Sequence, residues 1–374
     1  MADPLPEPDR AEGAPHPRDT ARLIGQEAAE AAFLTAFRQG RLHHGWLLTG
    51  PKGVGKATLA WRLARFLLAT PDDDGGMFAA PPPETLDIPD GHPVARRIRA
   101  LAEPRLHLLR RGPNEKETAL SQVITVDEVR KMKSFFTLSA ADGGRRVAIV
   151  DAADEMNTAA ANALLKLLEE PPAGALFFLI AHQPNRLLPT IRSRCRALRL
   201  PPLPPAALSD ALTQAGGEVA PEDRQALAEL AGGSVGEAFR LANAEGLQTY
   251  AALVRLLSDL PRLDRSRANA LSETVAGKAG AERFDLLVTL IDLFLSRLAR
   301  AGTLGQCPPE AAPGEATLIA RLSPSPLAAR GWADLAGDLT LRARRGKAVN
   351  LDPAALLMDI LLQIDGVAGK LAAN

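Results

Sequence analysis

The chain has 374 residues, more than one compact core usually organises, so two or three domains are expected. With 46% hydrophobic and 24% charged residues the composition is globular, and 44 basic against 44 acidic residues exclude nucleic-acid binding through bulk charge, leaving only a local patch for it. No stretch has the apolar length of a membrane span or a signal peptide. Cys195 and Cys307 are too few for a four-thiolate zinc site or a disulfide framework, so a cytoplasmic location, no zinc and two small buried thiols are expected.

Residues 1–22, rich in Pro, Asp and Glu, read as a loose tail. Ala28 to Phe37 suits a helix that Gly40 ends, and Trp46 to Leu48 reads as a buried strand. A glycine-rich turn follows, then a helix over Leu59 to Leu68. From 71 to 117, clustered Pro, Gly and Asp surround Arg96, Arg97 and Arg99 without a strand pattern, which indicates an insertion. Strands are expected at Val123 to Val126, Val147 to Val150 and Leu176 to Ala181, each followed by helical character, the alternation of a parallel sheet covered by helices. Between the last two, Thr158 to Glu170 forms a helix with Leu164, Leu165, Leu167 and Leu168 on its apolar face, stopped by Pro171 and Pro172. A short strand at Ala197 to Leu200 runs into the proline-rich connection 201–205. The expected architecture is therefore an α/β domain over 23–202, a small helical domain over 203–247 and a larger helical domain over 248–374, whose end Pro353 to Ile364 is amphipathic.

Gly50, Pro51, Lys52, Gly53, Val54, Gly55 and Lys56 fit the first seven positions of a phosphate-binding loop, with the strand before and the helix after that the motif requires. The glycines let backbone N–H groups curve around phosphate oxygens, and Lys56 adds positive charge for the β and γ phosphates. The next position should hold Mg²⁺ through a hydroxyl, but it is Ala57. Thr58 does not replace it, because one helical step turns a side chain by about 100°. The strand ending in Asp151 supplies the carboxylate for Mg²⁺, yet Ala152 stands where a base for the attacking water belongs. Asp154 and Glu155 read as helix N-terminal charges rather than displaced catalysts. Two losses in one pocket argue against hydrolysis by this chain. Weak binding of ATP, ADP or another anion at Gly50 to Lys56, Thr58 and Asp151 stays open beside a loop kept only as a turn.

Gly50 to Lys56, the run from Asn162 to Pro172, and Ser193, Arg194 and Cys195, in this order, resemble the bacterial clamp-loader ATPase family, as do Arg41, Leu42, His43 and His44. Within it the match is to the δ′ branch, because the nucleotide site is degenerate while the Ser-Arg-Cys element is whole. The resemblance spans about Leu23 to Leu200; the helical remainder fits by length and pattern only. It implies a RecA-like AAA+ domain, a helical lid and a helical collar joining five subunits in an open ring that loads a sliding clamp onto primed DNA. It further implies gamma/tau and delta subunits as partners, the beta clamp and primed DNA as contacts of the assembled loader, and Arg194 as a finger for a neighbour's ATP site, with Ser193 and Cys195 as its context.

Some positions depart from that family pattern. No cysteines lie between Lys56 and Asp151, so a zinc module is not expected. His182 stands at the end of a strand where a polar sensor is usual, and Gly236, within Gly233 to Glu237, replaces the arginine of a second sensor. Without the resemblance, Arg194 beside Arg192, Arg196 and Arg199 reads as part of a solvated basic face. Arg130, Lys131 and Lys133 form either such a face or a phosphate contact. A motor ATPase with rearranged catalytic residues and a nucleotide-independent adaptor are the competing functional classes.

Overall fold

The computed structural model describes residues 7–10, 13–20, 22–71, 83–114, 119–138, 144–217, 219–277 and 280–372. By contact the chain forms two units, one from residues 1–218 with 232–239 and the other from 219–231 with 240–374.

The first unit is built on helix α1 (Glu27–Arg38), strand β1 (Gly45–Thr49), α2 (Lys56–Ala69), α3 (Pro93–Arg99), β2 (Leu106–Arg110), α4 (Val126–Leu138), β3 (Arg146–Asp151), α5 (Thr158–Glu169), β4 (Ala175–Ala181), α6 (Pro189–Ser193), β5 (Arg196–Arg199) and α7 (Pro205–Gln214). The strands form one five-stranded sheet in the order β2-β3-β4-β1-β5, with every neighbouring pair parallel. All residues of β3 and β4 are buried, as continuous apolar strands of a parallel sheet covered on both faces should be. Alternate side chains enter opposite cores. Trp46, Leu48, Ile149 and Phe178 pack with α1 and α2, whereas Leu47, Val150, Phe177 and Leu179 pack with α4, α5 and α6. The α/β expectation is met. Gly40, at φ 65°, ends α1 as expected, and the Asn157 side chain accepts the Ala160 N–H at 2.8 Å to start α5.

Three sequence expectations are corrected. The segment 71–117 was expected to lack sheet structure, but Leu106–Arg110 is the edge strand, in register with Val147–Asp151. Only Leu109 of that strand is fully buried, so its alternation is blunted and its signal weak. Residues 72–82 and 115–118 of that segment lie outside the described residues. Val123 to Val126 is not a strand. Ile124 makes a single bridge to Met156, and Asp127 and Glu128 favour the helix start at Val126. The described part of the expected loose tail is packed: Glu7 pairs with Arg18 at 2.7 Å, Asp9 with Arg110 at 2.5 Å, and buried His16 meets the edge of Trp61. Glu7 and Arg18 pair within the segment, and Asp9 ties it to β2.

The second unit is helical, comprising α8 (Arg224–Ala231), the end of α9 (Val235–Asn243), α10 (Gly246–Leu257), α11 (Arg265–Glu273), α12 (Ala281–Leu304), α13 (Glu315–Leu322), α14 (Pro326–Ala348) and α15 (Pro353–Ala372). The long helices α12 and α14 pack on each other. No described helix is long and apolar enough to cross a membrane. In the interior, Glu315 is 0% exposed yet charged. It accepts from Arg297 Nε at 2.6 Å and Nη2 at 3.2 Å, from the Tyr250 hydroxyl at 2.6 Å and from the Ala311 N–H at 2.6 Å. Arg297 also reaches Glu229 at 3.5 Å and donates to the Pro309 carbonyl at 2.5 Å. Each buried charge is thus compensated by several partners, which is the condition for tolerating it. Glu315→Ala, which takes the two-pronged partner from the Arg297 guanidinium, is expected to destabilise the chain by about 3–5 kcal/mol, whereas replacing both residues by apolar ones should cost much less. Denaturant midpoints of the single and double variants check this.

Candidate functional site

At the carboxyl edge of a parallel sheet, strand ends open into loops where ligands characteristically bind. Here that edge carries the loop Gly50 to Lys56 after β1, Asp151 at the end of β3 and His182 just past β4. The register aligns Thr49 with Ala181 and Asp151 with Ile180, so residues far apart in the chain converge there.

The loop is curved by Gly50, Gly53 and Gly55, with φ of 146°, 80° and 98°. Two of these positions also have no room for a side chain. A Cβ on Gly50 would lie 2.1 Å from the Leu200 carbonyl oxygen, and one on Gly53 would lie 2.3 Å from Ser234 Oγ. The carbonyls of the loop are engaged by the protein itself. Lys56, only 2% exposed, donates through Nζ to the Gly50 oxygen at 2.7 Å and the Pro51 oxygen at 2.5 Å. Ser234 Oγ donates to the Lys52 oxygen at 2.8 Å, the Gly236 N–H to the Gly53 oxygen at 3.2 Å, and Gln26 Nε2 to the Val54 oxygen at 3.2 Å. Gly233 to Glu237, which resembles a second sensor without its arginine, therefore fastens the loop.

Burial pulls the Lys56 ammonium down to about 8, against the opposing pull of the Asp151 and Asp154 carboxylates. Burial, and then the charge of Asp9, pushes Asp151 up to about 7. Ala57 offers a methyl packed against the core, Ala152 has no base to offer, and Thr58 is half-buried on the first turn of α2. Magnesium requires hard oxygen ligands in near-octahedral array. Ala57 and Ala152 offer no oxygen, so of these three positions only Asp151 could be a ligand, a poor match for that ion.

Asp154 lies in the first turn of the short 3-10 helix Ala153–Glu155, as expected, and also accepts the backbone N–H groups of His182 at 3.0 Å and Gln183 at 2.9 Å, tying the turn after β3 to the end of β4. Glu155 pairs with Arg111 at 2.8 Å. Burial, followed by the charge of Lys56, lowers His182 to about 4, so its imidazole is neutral at physiological pH. The roles of Asp154 and Ser234 left no motif in the sequence, because each depends on which strand or loop lies alongside. Among the described residues no cluster of three or more His, Cys, Asp or Glu could hold a metal ion.

Ser193, Arg194 and Cys195 lie at the opposite edge of the sheet. They enter β5, whose Arg196 pairs with Trp46 at the start of β1, and the guanidinium of Arg196 lies 5.2 Å from the Trp46 ring centre. Gly45 makes room for them: a Cβ there would lie 3.2 Å from both the Arg194 oxygen and Cys195 Sγ. Burial pushes the half-buried Cys195 thiol up to about 12, leaving it unreactive, while Cys307 is exposed rather than the buried thiol expected. Ser193 Oγ donates to the Thr190 oxygen at 3.1 Å. Arg194 remains 38% exposed at its side chain and pairs with Glu169 at 2.9 Å. Five residues of β1 separate this edge from the phosphate loop, about 16 Å at the rise of an extended strand. On α4, Arg130 and Lys131 pair with Asp127 and Glu128, each at 2.6 Å and one turn away, which mutes that basic run.

A five-stranded parallel sheet with a glycine loop after its first strand, followed by helices, is the frame of a P-loop-type α/β module. Comparison with known proteins narrows this class. The family model described as "DNA polymerase III, delta subunit" matches residues 25–204. The chain is 31% identical to the DNA polymerase III subunit delta′ of Escherichia coli over 89% of its own length and 92% of that protein. It is 37% identical to the delta′ subunit of Pseudomonas aeruginosa over 56% of this chain and 59% of that protein, and 30% identical to the gamma/tau subunit of Mycobacterium tuberculosis over 51% of this chain and 30% of that protein. This chain belongs to the DNA polymerase III delta′ family.

Because the folded state raises the Asp151 value from the ordinary 3.8 to about 7, the native chain holds a proton there that the unfolded chain has lost, and stability falls as pH rises through that window. Asp151→Asn should remove this dependence and gain up to about 4 kcal/mol over wild type above the window. Parallel denaturation curves from pH 4 to pH 8 check it; a constant difference between variant and wild type contradicts the buried carboxylate.

Proposed function

We propose that this chain is the delta′ subunit of a DNA polymerase III clamp loader, an AAA+ scaffold that does not hydrolyse ATP itself and presents Arg194 to the ATP site of an adjacent gamma/tau subunit. The observation that carries this reading is the separation of the two motifs to opposite edges of one parallel sheet. Arg194 is too far from its own phosphate loop to serve it, yet its guanidinium stays half-exposed where another subunit can bring a nucleotide. A guanidinium placed there neutralises the charge that grows on the γ-phosphate in the transition state.

The chain's own pocket supports the other half of the proposal. A methyl replaces the magnesium hydroxyl, Ala152 replaces the base, and Lys56 is spent on the loop's carbonyls. The loop then serves as a structural turn that joins β1 to α2 and anchors Gly233 to Glu237. In the assembled loader the helical lid is residues 203–247 and the collar 248–374. The remaining partners are the delta subunit, the beta sliding clamp and, through the assembled ring, primed DNA, and the setting is the cytoplasm.

The isolated chain is expected to show no magnesium-dependent ATP turnover. In a loader reconstituted with gamma/tau and delta, Arg194→Ala should leave the circular dichroism and assembly unchanged and slow hydrolysis at the facing site by about 10³ to 10⁵. Clamp- and DNA-stimulated turnover measures both. Hydrolysis by the chain alone overturns the inactive pocket, and unaltered turnover by the Arg194→Ala loader overturns the finger.

A further inference from the structure

The guanidinium of Arg194 does not project freely from the surface. Arg194 caps the end of α6, and its Nη1 donates to the Thr190 oxygen one turn back at 3.1 Å, while its Nη2 meets Glu169 Oε1 at 2.9 Å. Glu169 is the last residue of α5, a helix held down by buried Leu164, Leu167 and Leu168 and ended by Pro171 and Pro172, so this carboxylate is delivered from a rigid support. The backbone behind the arginine is equally fixed, because the Arg194 oxygen and Cys195 Sγ close on Gly45. The end of α5 and the backbone of α6 thus each give the guanidinium a partner.

We infer that Glu169 is the positioning residue for Arg194, pre-orienting the guanidinium toward a phosphate brought by the neighbouring subunit; this rests on the finger reading above. A free arginine on a surface samples many rotamers, and ordering it at the moment of reaction subtracts from what it contributes to the transition state. Each terminal nitrogen of a guanidinium carries two N–H groups. The contacts to Glu169 and Thr190 take one from each, so each nitrogen retains a donor for an incoming oxygen. An exposed pair of this kind adds little to folding stability, so its value lies in orientation.

The test uses the reconstituted loader with gamma/tau and delta, carrying Glu169→Ala, Glu169→Gln, Arg194→Ala or the double variant Glu169→Ala/Arg194→Ala. Glu169→Ala is expected to lower clamp- and DNA-stimulated kcat at the facing site by about two- to tenfold, the effect of freeing one rotamer-rich side chain, with KM for ATP unchanged. Glu169→Gln, which keeps the acceptor oxygen, should recover most of the loss. The double variant should be no slower than Arg194→Ala alone, because a residue acting through Arg194 has nothing left to position. A slow Arg194→Ala loader with an unaffected or faster Glu169→Ala loader overturns this inference and leaves the finger standing. Equal losses from Glu169→Ala with and without Arg194 overturn it as well. A wild-type rate in Arg194→Ala overturns the finger reading and the inference together.

Discussion

Parallel pairing of β1 with both β4 and β5 is the constraint on which the rest of the α/β unit depends. It sends every strand end of one kind to the same edge, so the glycine loop, Asp151 and the turn after β4 meet there while Ser193 to Cys195 meet the start of β1 at the other. Two-sided burial keeps this register in place, since a slip of one residue would exchange the side chains of the two cores. The distance between the two motifs is therefore a consequence of the sheet and not of local loop geometry.

The phosphate loop is held in its curve by the protein's own contacts. Its glycines are still required, because the backbone adopts positive φ at each and the neighbours of Gly50 and Gly53 leave no space for a Cβ. Its lysine has become an internal donor. Lys56, Ser234, Gly236 and Gln26 hold successive carbonyls, so the curve that a nucleotide would exploit is maintained by protein contacts. The Asp151 carboxylate lies buried at the end of an apolar strand, and burial raises its proton affinity against the opposing charge of Lys56.

Much of this was legible in the chain. The uniform apolar runs of β1, β3 and β4, the proline stops after α5 and the glycine end of α1 are local signals, and each element appears where those signals put it. The losses at Ala57 and Ala152 were equally plain, because a missing oxygen is a property of residue type. Edge strand β2 escaped notice since a half-covered strand lacks clean alternation, and Val123 to Val126 misled because a short β-branched run can precede a helix as readily as form a strand. Residues 1–22 read as a loose tail by composition, yet Glu7 pairs with Arg18, Asp9 with Arg110, and His16 packs on the edge of Trp61, partners no local pattern announces.

Residue types and their spacing alone determined that this chain has an α/β module with a phosphate loop, that the loop lacks a metal hydroxyl and a base, and that a Ser-Arg-Cys element stands apart from it. Only the tertiary structure decided that Asp154 and Ser234 are fasteners, that Lys56 is turned inward, and that Glu169 holds Arg194. The physical reason is that hydroxyls, carboxylates and guanidinium groups take their roles from whichever donor or acceptor lies within about 3 Å, and strand register and helix packing set that proximity.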